Sequence, residues 1–151
     1  YDYHGNARAT TNTRDNDAGR VLGMILESAA RMNQPVMVYV TSDGSVGSSD
    51  GSDINAQFNG DRGTGGFAMV YAFHPTARPT MKNDRAGAWQ LGAFTASGQS
   101  SDDQTIVGSP DKAAAAVFAN YLKFAGQLQG IEKVLPGRFT SAQLDYILRF
   151  A

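Results

Sequence analysis

Polar positions fill the first sixteen residues, "YDYHGNARATTNTRDN", which carry no apolar period and no core-sized side chain after Tyr3. Such a stretch cannot bury enough apolar surface to offset its ordering entropy, so an extended arm is expected over residues 1–16. The pattern then changes. Behind an Asn or Asp cap near Asp15 to Asp17, Val21, Leu22, Ile25, Leu26, Ala29 and Met32 recur at i, i+3, i+4 and i+7 spacing, the mark of a helix with one buried stripe. Glu27 and Arg31 sit four apart on its wet side, in the favourable order. Gly19 and Gly23 lie one turn apart and weaken a helix, which suggests that a neighbour packs closely there. Pro35 disfavours helical backbone at Gln34, and "VMVYV" supplies β-branched and aromatic residues, so the helix should end at Asn33 or Gln34 and pass into a strand.

From Asp43 to Gly66 glycine, serine and aspartate dominate, which predicts a long surface loop with Ile54 and Phe58 as its anchors. "FAMVYAF", residues 67–73, reads as a second strand, and its near-continuous apolarity predicts a central place in the sheet. "AWQLGAFTA" around Trp89 and "QTIVG" around Ile106 predict two more. The last third is helical in character. Ser109 offers a cap, Pro110 the first helical position and Asp111 a first-turn charge, ahead of a face carrying Val117, Tyr121, Phe124 and Leu128 and widened by Phe118, Leu122 and Ala125. Gly126 and Gly130 weaken its end, "LPG" at 135–137 stops what continues through Ile131 and Val134, and Thr140 with Gln143 matches a capping box before Leu144, Ile147 and Leu148. The expected fold is α+β: an N-terminal helix packed on a mainly antiparallel sheet of about four strands, with two C-terminal helices. One globular domain over 17–151 would carry all of it.

Composition narrows the function. A length of 151 residues with 42% hydrophobic content suits one domain and one core. Lys and Arg total 13 against 14 Asp and Glu, so the charge that a phosphate backbone requires is lacking and nucleic acid is not an expected partner. The absence of cysteine removes disulfides, thiolate metal sites and cysteine nucleophiles. No apolar run approaches bilayer length. A start at Tyr1 and not Met is what removal of a leader or an anchor leaves. On that basis the expected location is extracytoplasmic, at the cell surface or beyond it, with membrane contact only through an upstream segment that this chain does not carry.

Candidate chemistry is sparse. "GSSDG", residues 47–51, fits the G-x-S-x-G pattern with Ser49 in the nucleophile place, but an elbow needs a strand leading in and a helix leading out, and polar loop flanks it on both sides. Only His4 and His74 are available as bases, so no catalytic residue and no enzyme are expected. "GDRGTGG", residues 60–66, leads into a strand instead of a helix and lacks the lysine of a phosphate-binding loop. Asp43, Asp50, Asp53, Asn55 and Asp61 gather hard oxygen ligands, which makes calcium the one candidate cofactor, although their spacing departs from the helix-loop-helix calcium pattern. Trp89, Tyr71, Phe73 and Phe94 are expected mainly in the core.

The run "ILESAARMNQPVMVYVTSDG", Ile25 to Gly44, resembles the junction between helix and head in type IV pilins and the minor, FimT-like pseudopilins of type II secretion. The resemblance implies a helix lying across an antiparallel sheet, in a structural subunit of a filament. The family's processing site and apolar half-helix have no counterpart here, and the two C-terminal helices exceed what such heads usually carry. The expected function is that of a non-enzymatic, pilin-like component of an extracytoplasmic assembly, with copies of itself or related structural subunits as partners. Tyr1, Tyr3, Gly19 and Gly23 are the expected assembly contacts. A virion structural protein with an N-terminal arm and a calcium-stabilised binding module are the alternatives.

Overall fold

The computed structural model describes residues 6–41, 46–48, 58–60, 68–84, 87–94, 100–101 and 110–151. The chain divides into two compact units, Tyr1–Thr76 with Phe94–Ser101 and Ala77–Ala93 with Asp102–Ala151, where the sequence pattern predicts a single domain.

In the first unit helix α1 spans Arg8–Arg31. It starts about two turns before the expected cap, so residues 8–16 are helix and not extended arm. Thr11 and Thr13 turn their hydroxyls back onto the carbonyl oxygens of Arg8 (2.9 Å) and Ala9 (3.1 Å), which lets polar residues sit inside a helix without competing with it. The far end closes as the sequence predicts, within two residues. Asn33 takes the left-handed conformation at φ 55°, which its short polar side chain tolerates. Its N–H reaches the carbonyl of Ala30 at 3.1 Å while the N–H of Gln34 reaches that of Ala29 at 2.9 Å, satisfying the last carbonyls before Pro35.

Strand β1 follows at Val36–Thr41. Strands β2 (Val46–Ser48) and β3 (Phe58–Gly60) pair antiparallel with each other, and β4 (Ala68–Phe73) returns antiparallel to β1, with Val36 opposite Phe73 and Thr41 opposite Ala68. Strands β5 (Ala93–Phe94) and β6 (Ser100–Ser101) form a third short pair. The described strands therefore make separate two-stranded pairs, and the expected single sheet of about four strands is corrected. The stretch around Trp89 explains part of the difference. Gly87 and Gly92 take φ of 66° and 70°, and Gln90 donates its N–H to the Gly87 carbonyl at 2.8 Å, so the residues read as a strand are mostly a turn. The expected strand "QTIVG" lies outside the described residues.

In the second unit α2 runs over Pro110–Phe124 and closes at Gly126 (φ 68°), where Gln127 donates to the Leu122 carbonyl at 2.7 Å. A 3-10 turn at Leu128–Gly130 leads into α3, Ile131–Val134, and α4 spans Ser141–Ile147. Three α-helices thus follow the strands, not two, because the left-handed break at Gly126 makes the continuation through Ile131 a separate helix. The predicted capping box is present: Gln143 donates its N–H to Thr140 Oγ1 at 3.2 Å and Thr140 donates its own to Gln143 Oε1 at 2.9 Å. The core gathers Ala116, Ala119, Ile131, Ile147 and Leu148. Alanines form the buried face of α2, while Phe118 and Tyr121 are exposed and stack on each other with ring centroids 6.1 Å apart. Small side chains on the inner face leave room for α4 and the chain end to approach closely.

Candidate functional site

Two arrangements stand out, one in each unit. The first is apolar. The six helical positions read from the sequence as one stripe spread over about 140° of the helix circumference, wider than one contact covers. In α1 they separate: Leu22, Leu26 and Ala29 are shielded, whereas Val21, Ile25 and Met32 are exposed together with Met24. Met24 and Met32 keep 66% and 64% of their surface accessible, far more than methionine usually shows. The exposed set lies about 100° round the axis from the shielded one. The same flank carries Arg14 two turns upstream, whose Nη1 is buried without a hydrogen-bond partner. Glu27 and Arg31 close a 2.7 Å ion pair on the wet side, as their spacing predicts, worth only a few tenths of a kcal/mol, about 0.3–0.5.

The β1–β4 ribbon is apolar on both faces. Its register places Val36, Val38 and Val40 on one face with Phe73, Tyr71 and Met69, and Met37, Tyr39 and Thr41 on the other with Ala72, Val70 and Ala68. Helix α1 lies against both strands. Val36, Val38, Val40, Tyr71 and Phe73 are half-buried, while Met69 on the same face is 43% exposed. On the opposite face Tyr39, Thr41, Val70 and Ala68 are exposed, and Met37 and Ala72 are half-buried. Neither strand contains a charged residue, and among the described residues neither has a second strand partner. Near-continuous apolarity predicts a central strand, and among the described residues β4 is instead one strand of a two-stranded pair with Tyr39, Met69 and Val70 exposed.

The second arrangement is polar. Arg149 is only 5% exposed and sets four of its five guanidinium hydrogens. Nη1 donates to Asp84 Oδ1 (3.0 Å) and the Ala88 carbonyl (3.1 Å), and Nη2 to Asp84 Oδ2 (3.2 Å) and the Asp145 carbonyl (3.2 Å). Nε alone has no partner. Buried Asn120 accepts the Arg149 N–H at 2.7 Å and donates to the carbonyls of Ala116 (2.9 Å) and Ile147 (2.8 Å). Backbone bonds from Lys82 to the Arg149 carbonyl (2.8 Å) and from Ala151 to the Thr80 carbonyl (2.9 Å) stitch the chain end to residues 80–82. Each of these groups is taken up in holding the unit together. They also fix the turn at Ala88, beyond which Trp89 stands 71% exposed, a correction to its expected place in the core.

Of the residues proposed from the sequence, Tyr1, Tyr3, Ser49 and the calcium candidates Asp43, Asp50, Asp53, Asn55 and Asp61 lie outside the described residues. Among the described residues no three acidic or histidine side chains gather as metal ligands. Among the described residues no atom comes within 4 Å of a Cβ built on Gly19 or Gly23, so none of them packs closely there. The two glycines also sit about 160° round the axis from the exposed stripe. His74 accepts the Thr76 N–H on Nδ1 at 3.2 Å, a turn contact at the end of β4. Among the described residues no helix is long and apolar enough to cross a membrane. The exposed residues Met24, Tyr39, Met69 and Val70 were not singled out by sequence reasoning, although the width of the α1 stripe was a signal for the first. Comparisons of the chain with protein-family models, with curated proteins and with solved structures find no match.

Proposed function

We propose that the chain is a non-enzymatic structural subunit of an extracytoplasmic assembly, pilin- or pseudopilin-like, built from copies of itself or of related subunits. The observation that carries this is the second apolar stripe of α1, in which Val21, Met24, Ile25 and Met32 face solvent side by side. Single exposed apolar residues are ordinary on a protein surface, but a contiguous helical stripe marks a surface to be covered. The resemblance of residues 25–44 to pilin junctions supports the same reading, since α1 runs through Ile25, breaks before Pro35 and passes directly into β1.

Magnitudes favour a weak, repeated contact. Covering a half-exposed Val, Ile or Met side chain gains about 1 kcal/mol. Several such gains are needed to offset an association cost of about 4 kcal/mol or more. A single contact is then weak, and copies in series hold together. Sedimentation velocity of the full chain between about 1 μM and 1 mM is the test, a range that brackets contacts of this strength. Association that grows with concentration and is lost in Ile25→Lys is expected. A monomer throughout that range, or an Ile25→Lys chain that associates like the wild type, would contradict the proposal.

A further inference from the structure

Charges along α1 follow an order. Asp17, Met24 and Arg31 recur every seven residues, so they form one line along the helix that drifts only about 20° per step. That line borders the stripe of Val21, Ile25, Ser28 and Met32 on the side away from the shielded Leu22, Leu26 and Ala29, and every residue of the line and the stripe is exposed. Arg20 and Glu27, also exposed, lie farther out on the same flank.

Resting on the assembly reading above, we infer that the α1 stripe of one copy lies against the same stripe of a second copy, antiparallel, about a two-fold axis beside Met24. The order of charge argues for both this occupant and this direction. A two-fold axis brings the same flank of both helices together. Reversal about Met24 then sets Asp17 of each copy opposite Arg31 of the other, and Arg20 of each within one residue of the other's Glu27. A parallel pair in register would set Asp17 beside Asp17 and Arg31 beside Arg31, and like charges across a helix pair select against that arrangement. Arg31 gives its Nε to Glu27 at 2.7 Å, and its Nη hydrogens suit a second carboxylate. Inside the charges, Val21 of one copy falls between Ile25 and Ser28 of the other, where the small serine lets the helices approach. The overlap runs over residues 17–31, about four turns. A two-fold contact closes on itself, so it makes pairs, and linking pairs into a longer assembly takes a different surface.

Charge exchange on the full chain tests the inference. Asp17→Arg and Arg31→Glu each put like charges across the axis, so each variant should self-associate at least about tenfold more weakly than the wild type in sedimentation velocity. Mixed in equal amounts they should recover wild-type association, since opposite charges then meet at both ends of the overlap. Both positions are exposed, so each variant is expected to keep the wild-type circular dichroism spectrum. Cross-linking reads the direction without changing a charge. The chain has no cysteine, so Met24→Cys carries a single thiol, and a short bis-maleimide should join two copies at least about tenfold faster there than in Met81→Cys, an exposed position of the second unit. Charge variants that associate like the wild type, a mixture no tighter than its components, or a Met24→Cys chain that cross-links no faster than Met81→Cys overturns the inference and leaves the assembly reading standing. A wild-type chain that is itself monomeric overturns both.

Discussion

Buried hydrophobic residues are divided unevenly between the two units. Among the described residues, Ala88, Ala115, Ala116, Ala119, Ile131, Ile147 and Leu148 belong to the second unit, and Ala29 alone belongs to the first. The difference does not come from a shortage of apolar residues, since the first unit holds the strands "VMVYVT" and "AMVYAF" and the apolar part of α1. It comes from what those residues have to pack against. In the second unit three helices and the chain end converge on small alanines, and a buried arginine and asparagine tie up the carbonyls left over. Among its described residues the first unit has one helix and short two-stranded pairs, and a ribbon of two strands offers a helix only one face. Val21, Met24, Ile25 and Met32 on α1 and Tyr39, Met69 and Val70 on the strands remain exposed. On the assembly reading proposed above, the exposed α1 stripe of the first unit is what another copy covers.

The largest way to break that comparison is at Ile147, which is fully buried. Ile147→Ala should lower the stability of the second unit by about 2–5 kcal/mol, measured by chemical denaturation, and leave association unchanged. If association falls with it, the units are not independent in function. Next comes Arg149→Met, expected to cost about 2–3 kcal/mol because Asp84 and the carbonyls of Ala88 and Asp145 lose their donors while Asp84 remains partly hydrated. Trp89 is the sole tryptophan, so lower fluorescence anisotropy in this variant should report release of its turn. Unchanged anisotropy would mean that Arg149 does not hold it.

Smaller effects belong to the first unit. Gly19→Ala and Gly23→Ala should each raise the stability of α1 by about 0.5–1 kcal/mol, because both are helical with open space around them. Loss of association in either variant would instead place a neighbour on that flank, as the sequence suggests. Val21→Ser should change the melting of dilute monomer by no more than about 0.5 kcal/mol, as an exposed substitution does. A loss several times larger would mean that Val21 is core after all.

Legibility followed how local the causes are. The break at Asn33 and Pro35, the start of α2 at Pro110 and the Thr140–Gln143 capping box are decided within a few residues, and each was readable from the sequence. The start of α1 was not, because threonines that signal loop when free can bond back onto the carbonyls of Arg8 and Ala9. The strand expected at Trp89 failed because the glycines at 87 and 92 take positive φ, which residue type permits without requiring. Sheet membership and the division of the α1 stripe were out of reach for a different reason. Periodicity reports that a side chain is apolar, while the number of surfaces available to cover it depends on the whole fold. The buried Arg149 cluster shows the same limit, since residues 84, 88, 120 and 149 have no local spacing in common.

Methionine oxidation tests the contrast between the units most directly. Met81 in the second unit is 42% exposed and serves as an internal control for Met24 and Met32 on the α1 stripe of the first. Rates of sulfoxide formation at each site are measured by mass spectrometry on dilute and on concentrated full-length chain. On concentration, Met24 and Met32 should oxidise severalfold more slowly while Met81 keeps its rate. Equal behaviour of these three methionines, or protection of Met81 with Met24 and Met32 left open, would contradict the claim that the first unit is the one built to be covered.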